Sequence, residues 1–368
     1  MSTSHLFTPL TVRGTTFRNR AWVSPMCQYS AVDGVVGDWH LVHLGALASG
    51  GAGLIVAEST GVTPAGRISP QCAGLWSDEQ AEAWARVVRY AHRQETPLGI
   101  QLSHAGRKGS TSTPWTGEAW VPPAEGGWPT LAPSAVPYGD LPAPAAMTLG
   151  DIDATRRAFA AAAARALDAG FDVVELHAAH GYLLHEFLSP LSNRRQDRYG
   201  GSYENRMRFP LEVVAAVREE WPADRPLFVR VSVTDWVPGG WDLESSIGFA
   251  RRLAGLGVDL VDCSSGGLVP DAEIPADGAY QSDLAHAVRE GAGVRTAAVG
   301  RITEPEQAEA LIGSAKADAV LLGRAMLRDP HWALRAAGAV GAAVPWPVQY
   351  ERAKPGHRRI DSQELEAS

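Results

Sequence analysis

The chain has 368 residues, of which 45% are hydrophobic and 20% charged, and a formal net charge of −8, a composition typical of a soluble globular protein. It has no clustered basic residues, and its three cysteines (Cys27, Cys72 and Cys263) are far apart, which argues against a nucleic-acid partner, a disulfide framework and a structural zinc site. Residues 1–9 lack the regions of a signal peptide and no apolar run reaches the roughly 18 residues that span a membrane, so we expect a cytoplasmic protein without membrane contacts.

Eight short apolar segments alternate with longer segments of helical periodicity. Continuously apolar strands are typical of parallel sheets that are buried on both faces, and strand–helix alternation indicates βαβ units. We therefore predict an α/β fold, a (β/α)₈ (TIM) barrel, with an open doubly wound sheet as the alternative. The predicted strands are Val23 and residues 54–56, 98–102, 172–176, 227–231, 259–262, 296–299 and 319–322.

Residues 110–148 interrupt this alternation after predicted strand 3. The segment is rich in Pro, Trp and Gly and has no helical period, which is typical of a lid, a binding loop or a disordered segment. Three tryptophans argue against disorder, so we predict a partly ordered cap over the barrel. The whole of residues 1–353 is then one barrel domain, and the polar residues 354–368 form a flexible tail.

The clearest candidate site is the pair His177 and His180, which follows predicted strand 4. The carboxyl ends of barrel strands are where catalytic residues are usually found. Two neutral imidazoles at this spacing can direct N–H donors at one carbonyl or nitro oxygen that gains negative charge in a reaction. A purely structural pair is the alternative. A zinc site is less favoured, because the spacing is not that of HExxH and no Glu lies between the histidines.

Other polar residues follow further strands. Tyr182 lies two residues after His180, where its phenol could deliver a proton or simply be a buried, hydrogen-bonded hydroxyl. Two Gly-Arg pairs, Gly300-Arg301 and Gly323-Arg324, follow predicted strands 7 and 8, which is the usual phosphate site of such barrels.

Arg230 in predicted strand 5 requires an anionic partner, either Glu175 or Asp262 or the ring of a reduced cofactor. Gln101 carries a donor and an acceptor that suit the edge of a pyrimidine-like ring. Cys27 is either a buried apolar thiol or a group that tunes a cofactor. No GxGxxG follows an early strand and no GxSxG is present, so a dinucleotide-binding domain and an α/β-hydrolase are not expected.

Taken together, these residues resemble the Old Yellow Enzyme family, and most closely its xenobiotic-reductase and thermophilic-like branch. The resemblance covers nearly the whole chain, and its most specific motif begins at His177. Two features depart from the family pattern: the insert at 110–148, which shorter members lack, and Ser59, which stands where small apolar residues are common. The matching segments are 6–10, 18–20, 24–29, 104–108, 132–134, 170–183, 187–190, 199–206, 323–324 and 327–330.

The resemblance implies non-covalent FMN at the barrel mouth, with NADPH or NADH as a transient reductant. It implies that flavin N5 passes hydride to an activated C=C bond of an enone, maleimide or quinone, or acts on a nitro compound, in a ping-pong reaction, while Tyr182 protonates the α-carbon. His177 and His180 would bind the substrate's oxygen, and Tyr29 would line its pocket. The FMN ligands implied are Ser24, Pro25, Met26, Cys27, Ser59, Gln101, Arg230, Gly300, Gly323 and Arg324.

The resemblance also implies a homodimer or homotetramer, in which Arg352 reaches a neighbouring subunit's pocket. Larger relatives that reduce dienoyl-CoA substrates need cysteine clusters for iron–sulfur centres, which three scattered cysteines cannot supply. A catalytically silent barrel that serves as a scaffold is a further alternative. The intact set of His177, His180 and Tyr182 argues against it.

Overall fold

The computed structural model describes residues 4–117, 119–275 and 278–355, so almost all of the predicted tail at 354–368 lies outside the described residues. Eight parallel strands form a closed barrel in which each strand pairs with its neighbours in the chain and the last pairs with the first. The strands are β1 (Ala21–Val23), β2 (Leu54–Gly61), β3 (Leu98–Ser103), β4 (Val173–Ala178), β5 (Leu227–Ser232), β6 (Leu260–Ser264), β7 (Arg295–Val299) and β8 (Ala319–Leu322). The predicted (β/α)₈ barrel is confirmed, and the open sheet is wrong.

Helices alternate with these strands and cover the outside of the barrel. Several begin at side chains that accept a hydrogen bond from the first turn, among them Ser77, Thr148, Ser202 and Asp242. Within the described part of the chain, no helix combines the length and apolarity that crossing a bilayer requires. The helices are α1 (Asp38–Ser49), α2 (Asp78–Arg93), α3 (Leu149–Ala169), α4 (Leu183–Leu188), α5 (Tyr203–Glu220), α6 (Leu243–Gly255), α7 (Ser282–Ala292), α8 (Pro305–Gly313), α9 (Arg324–Arg328) and α10 (Trp332–Ala339).

The amino-terminal end of the barrel is closed by apolar side chains. A hairpin of two short strands, Leu10–Val12 and Thr15–Phe17, precedes β1. Phe17 packs on Trp22 with 4.7 Å between ring centroids, and Trp22 stacks on Phe228 at 5.8 Å. Because this end is filled, the opposite end, where the strands finish, is where a ligand can enter.

The predicted strands are too short at that carboxyl end. β2 continues to Gly61, β4 to Ala178 and β6 to Ser264, whereas the apolar patterns end at residues 56, 176 and 262. The strand pairing continues through polar residues at the barrel mouth. Because the prediction relied on runs of apolar residues, it assigned these polar residues to loops. His177 is therefore part of β4 and is held by the sheet.

A bulge in β2 separates two adjacent polar residues. The pairing register with β3 shifts between Ala57 and Ser59, so Glu58 is the extra residue and Ser59 pairs with Gln101. The buried Glu58 carboxylate lies 3.1 Å from Nε2 of His40 on α1 and accepts a 3.0 Å hydrogen bond from the backbone N–H of Gln28. The bulge thus directs Glu58 toward α1 and the loop after β1.

The insert at 110–148 follows β3, as predicted, and its described residues pack on the loops at the barrel mouth. Its described residues form two 3-10 turns, Pro114–Thr116 and Pro123–Glu125, and a parallel pair of two-residue strands, Leu131–Ala132 and Ala145–Ala146. Arginines from the barrel loops fix it by donating to its backbone carbonyls: Arg107 to Val136 and Pro137, and Arg195 to Pro133 and Met147.

Candidate active site

The carboxyl end of the barrel contains a cavity of about 550 Å³, within the usual size of small-molecule sites. The barrel brings together all but one of the predicted site residues around it, although they come from seven of the eight strands or the loops that follow them. The predicted residues that line it are Ser24, Pro25, Met26, Cys27, Tyr29, Ser59, Gln101, His177, His180, Tyr182, Arg230, Gly300, Gly323 and Arg324.

Two histidine rings meet on the wall of the cavity. His177 ends β4, and His180 adopts a left-handed backbone with φ of 59°, which is uncommon for a residue with a side chain. The backbone N–H of His180 donates to Ser232 Oγ at 2.9 Å and fixes this turn. As a result, Nε2 of His177 lies 3.3 Å from Nδ1 of His180.

Both imidazoles are neutral at pH 7. Burial lowers the pKa of His177 and of His180 well below the usual value, and the charge of Arg230 lowers both further. A neutral imidazole carries one N–H, so each ring can donate one hydrogen bond. The pair can therefore stabilise an oxygen that becomes negative without carrying a charge itself.

Hydrogen bonds on the far side of each ring constrain which nitrogen carries the proton. Nδ1 of His177 accepts from the backbone N–H of Ala179 at 3.2 Å, which leaves the proton on Nε2. Nε2 of His180 lies 2.6 Å from Ser264 Oγ. The neighbouring Ser265 donates to Oε1 of Gln281 at 2.6 Å, whereas Ser264 lies 3.4 Å from the same oxygen.

Tyr182 stands beside this pair at the start of α4. Its ring is perpendicular to that of His177, with 4.9 Å between centroids. Nζ of Lys108 lies 5.3 Å from the Tyr182 ring centroid and donates to the backbone carbonyls of His180 and Gly267. The lysine therefore ties together the turn that carries His180 and the loop after β6.

Arg230 forms the centre of a buried charged cluster. Its Nε lies 3.0 Å from Oδ2 of Asp262, and its Nη1 donates to Ser24 Oγ at 3.1 Å. Of the two partners considered from the sequence, Asp262 is thus the one contacted, and Arg230 nevertheless also lines the cavity.

The carboxylates near Arg230 differ in charge. Burial raises the pKa of Glu175 to about 8, with the nearby Asp262 contributing, while burial raises that of Asp262 only to about 6 because Arg230 opposes the shift. Glu175 accepts a 2.8 Å bond from Nε2 of Gln101. At neutral pH Arg230 therefore faces one ionised carboxylate rather than two.

Three arginines line another part of the cavity without an acidic partner. Arg301, Arg324 and Arg328 make no ion pair with any residue of the described ranges. Gly300 precedes the first of them with φ of 104°, and a Cβ there would come within 2.4 Å of Nε2 of Gln281. The guanidinium groups can pair with a phosphate, and the glycine lets the phosphate come close to the backbone.

Cys27 also lines the cavity. It packs with Ile68, Cys72 and Ala105 and with two tyrosines of the cavity, and burial raises the pKa of its thiol well above the usual value. The thiol is therefore protonated at neutral pH. Within the described ranges, no group of three or more His, Cys, Asp or Glu side chains is arranged to hold a metal ion.

Arg352 is the predicted site residue that does not line the cavity. It is exposed in the 3-10 helix Val348–Ala353. The preceding residues 345–349 border a groove formed by Ser49 at the end of α1 and Arg93 at the end of α2. A role in a neighbouring subunit's pocket stays a prediction.

Sequence reasoning missed several residues of the site. Arg328, Thr303 and Ile302 line the cavity, and Ser264 contacts His180, yet none of them was assigned a role. A lone Ser or Thr after a strand carries little signal. Arg328 could have been found, because it follows Arg324 by one helical turn and thus shares its face of α9.

Comparison with known proteins identifies relatives over nearly the whole chain. Residues 5–340 match the model of the NADH:flavin oxidoreductase / NADH oxidase family. An NADPH dehydrogenase of Geobacillus thermodenitrificans is 48% identical over 350 residues, which cover 94% of this chain and 98% of the relative. A structure of morphinone reductase in complex with tetrahydroNAD is 30% identical with a TM-score of 0.77 and covers 93% and 92% of the two chains. An Old Yellow Enzyme homologue from Zymomonas mobilis is 28% identical with a TM-score of 0.77 and covers 93% and 94%.

The fold and the cavity define an oxidoreductase of Old Yellow Enzyme type, and the predicted resemblance is confirmed. The chain belongs to the NADH:flavin oxidoreductase / NADH oxidase family. It is thus a flavin-dependent enzyme that uses NAD(P)H.

Proposed function

We propose that this enzyme reduces activated C=C bonds of enones, maleimides and quinones, and also nitro compounds, with FMN as the bound cofactor and NADPH or NADH as the reductant. The observation that carries the proposal is the pair of neutral histidines 3.3 Å apart in the same cavity as three arginines that have no acidic partner among the described residues. The arginines suit the phosphate of a flavin mononucleotide, and the histidines suit a substrate oxygen that gains charge.

The donor set fits FMN. Gly300, Gly323 and Arg324 would hold the phosphate, with Arg301 and Arg328 adding positive charge. Arg230 and Gln101 would contact the ring; one N–H of the Gln101 amide is used by Glu175, which leaves the other N–H and the carbonyl oxygen for a ligand. The ring would also contact Ser24, Pro25, Met26, Cys27 and Ser59. When bound, FMN supplies the hydride chemistry between the nicotinamide and the alkene.

The chain's own part in the reaction begins with the two histidines. Since Oε1 of Gln281 already accepts from Ser265, the Ser264 hydroxyl can donate its proton to Nε2 of His180. His180 then carries its own proton on Nδ1, which faces Nε2–H of His177. Both N–H groups converge on one point, where the carbonyl oxygen of a substrate would accept them and be stabilised as it gains charge.

Tyr182 is the proposed proton donor to the α-carbon. It lies against His177 and therefore next to the point where the substrate's oxygen would bind. We further propose that the enzyme is a homodimer or homotetramer in which Arg352 reaches a neighbouring cavity.

The proposed role of Ser264 leads to a prediction with a matched control. Ser264→Ala should lower kcat for cyclohexenone by about 10-fold, because His180 loses the partner that keeps its proton on Nδ1. Ser265→Ala, which removes the adjacent hydroxyl but none that touches a histidine, should cause a smaller loss, because the Ser264 hydroxyl remains 2.6 Å from His180. Stopped-flow measurement of the oxidative half-reaction gives the rates, and the ¹⁵N shifts of the imidazoles report the tautomer.

Equal losses in the Ser264→Ala and Ser265→Ala proteins would contradict this role, as would an unchanged His180 tautomer. Ser264→Thr keeps a hydroxyl at this position and should restore most of the rate.

The function itself is tested on the purified enzyme. We expect a yellow protein that releases FMN on denaturation, is bleached by NADPH or NADH under anaerobic conditions, and is reoxidised by cyclohexenone with formation of cyclohexanone. A protein that retains no FMN, or that consumes no NAD(P)H with enones, quinones or maleimides, would contradict the proposal and favour a silent barrel.

A further inference from the structure

A second cavity of about 610 Å³ lies between the insert and the barrel mouth. Tyr29 and Tyr182 line both this cavity and the one that contains the histidines, so the two meet at these tyrosines. We call the second cavity the outer chamber. It is of the size that holds a small molecule.

The walls of the outer chamber are fixed in place. A β-bridge joins Thr111 to Trp120 across the first part of the insert. The backbone N–H of Thr111 donates to the Ile68 carbonyl at 2.9 Å, and its hydroxyl donates to the same oxygen at 3.1 Å. These bonds tie the insert to the loop after β2. Further along, Trp128 packs over the guanidinium of Arg67 at 4.9 Å.

The lining of the chamber combines aromatic and aliphatic side chains with polar ones. Trp120 lines the chamber and is 43% exposed, although the backbone on both sides of it is hydrogen-bonded, so its ring is held in place and open to a ligand. Tyr138 lies across the chamber under the ammonium of Lys108, with 4.4 Å from Nζ to the ring centroid. Ile68 and Leu141 add aliphatic surface.

The charges of the chamber argue against a phosphorylated occupant. Among its described lining residues the ionisable side chains besides tyrosine are Lys108 and Asp140, which are of opposite sign. Lys108 is already engaged with two backbone carbonyls. A nucleotide diphosphate needs several cations or amide donors, as in the part of the first cavity that holds the arginines.

We propose that the outer chamber binds a flat, uncharged aromatic or polycyclic substituent of the alkene whose oxygen is held by His177 and His180. This inference rests on the proposed function, because it extends the substrate outward from the histidines past Tyr29 and Tyr182. The enzyme thereby prefers large aryl-substituted enones and enals to small ones, which it also reduces. The insert is the part of the chain that confers this preference.

Non-reacting ligands give a direct test. Phenol and the three positional isomers of phenylphenol share one hydroxyl for the histidines and differ by a phenyl ring. In the FMN-loaded enzyme, titration followed by the flavin spectrum should show that at least one isomer binds about 10-fold or more tightly than phenol. Trp120→Ala should weaken the binding of that isomer by about 5- to 10-fold, because an aromatic contact is lost. The affinity for phenol should stay within about twofold.

Two further variants test whether the effect depends on the aromatic ring of Trp120. Trp120→Phe retains an aromatic ring and should preserve most of the preference. Trp346→Ala removes a tryptophan that lines neither cavity and should have no effect. Turnover of cinnamaldehyde against crotonaldehyde, which differ by phenyl and methyl, should follow the same pattern in kcat/KM.

The outcomes separate the two proposals. If phenol binds and crotonaldehyde is reduced, but Trp120→Ala changes the aryl and small ligands equally or not at all, the outer chamber has no such role. If Trp120→Ala instead raises KM for NADPH, the chamber binds the nicotinamide nucleotide and the inference is wrong. If the wild-type enzyme binds no phenol and reduces no enal, the proposed function itself fails.

Discussion

Replacement of both histidines, His177→Ala with His180→Ala, should lower kcat for cyclohexenone by about 100- to 1000-fold or more, the loss seen when a single oxyanion donor is removed from an enzyme. The physical reason is that the two neutral N–H groups are the donors that converge 3.3 Å apart on the cavity wall. The protein should still bind FMN, because the proposed flavin contacts come from other strands. Phenol should no longer perturb the flavin spectrum.

Single variants and an isosteric control sharpen this expectation. His180→Asn keeps one N–H donor near the Nδ1 position and should retain more activity than His180→Ala. Anaerobic reduction by NADPH and reoxidation by cyclohexenone are measured separately in a stopped-flow instrument. A double variant that reoxidises with the enone at the wild-type rate would show that the histidines do not hold the substrate.

Arg230→Met is expected to have two separable effects. The buried Asp262 carboxylate loses the guanidinium that lies 3.0 Å away, which should destabilise the fold by about 3–5 kcal/mol. The two-electron potential of the bound flavin should also fall by about 30–60 mV, equivalent to about 1.4–2.8 kcal/mol, because a positive charge beside the reduced ring is removed. Thermal unfolding and a dye-linked potential titration measure the two quantities.

A second substitution distinguishes the two effects. Arg230→Met with Asp262→Asn removes the uncompensated carboxylate, so stability should recover in part while the potential stays low. If the double variant regains both the stability and the wild-type potential, the role of Arg230 is purely structural and its assignment to the flavin is wrong.

Most of the fold could be predicted from the sequence because the barrel strands are buried on both faces. Runs such as residues 54–57 and 319–322 are continuously apolar, and this pattern is nearly independent of the surroundings. The ends of the strands could not be predicted in the same way. In β2 the ladder continues through Glu58, Ser59 and Thr60, whose burial depends on the closed barrel and on His40.

Site residues could be predicted from the sequence where their residue type is unusual at that position. The other site residues could not be predicted. The spacing of His177 and His180, and the arginines after the last two strands, stand out against a mainly apolar background. The partners that control them do not stand out. Ser264 is an ordinary serine until the fold brings its hydroxyl 2.6 Å from His180. The choice of Asp262 over Glu175 as the partner of Arg230 likewise depends on the register between β5 and β6.

The extra residue in β2 also limits how the sequence can vary among relatives. Deletion of one residue there would bring a carboxylate to the cavity wall in place of Ser59, and would remove the acceptor for the N–H of Gln28. His40 and Glu58 contact each other through buried atoms, so a change in either leaves the other unsatisfied. We therefore expect these two positions to covary, and the length of β2 to be conserved even where the insert at 110–148 is not.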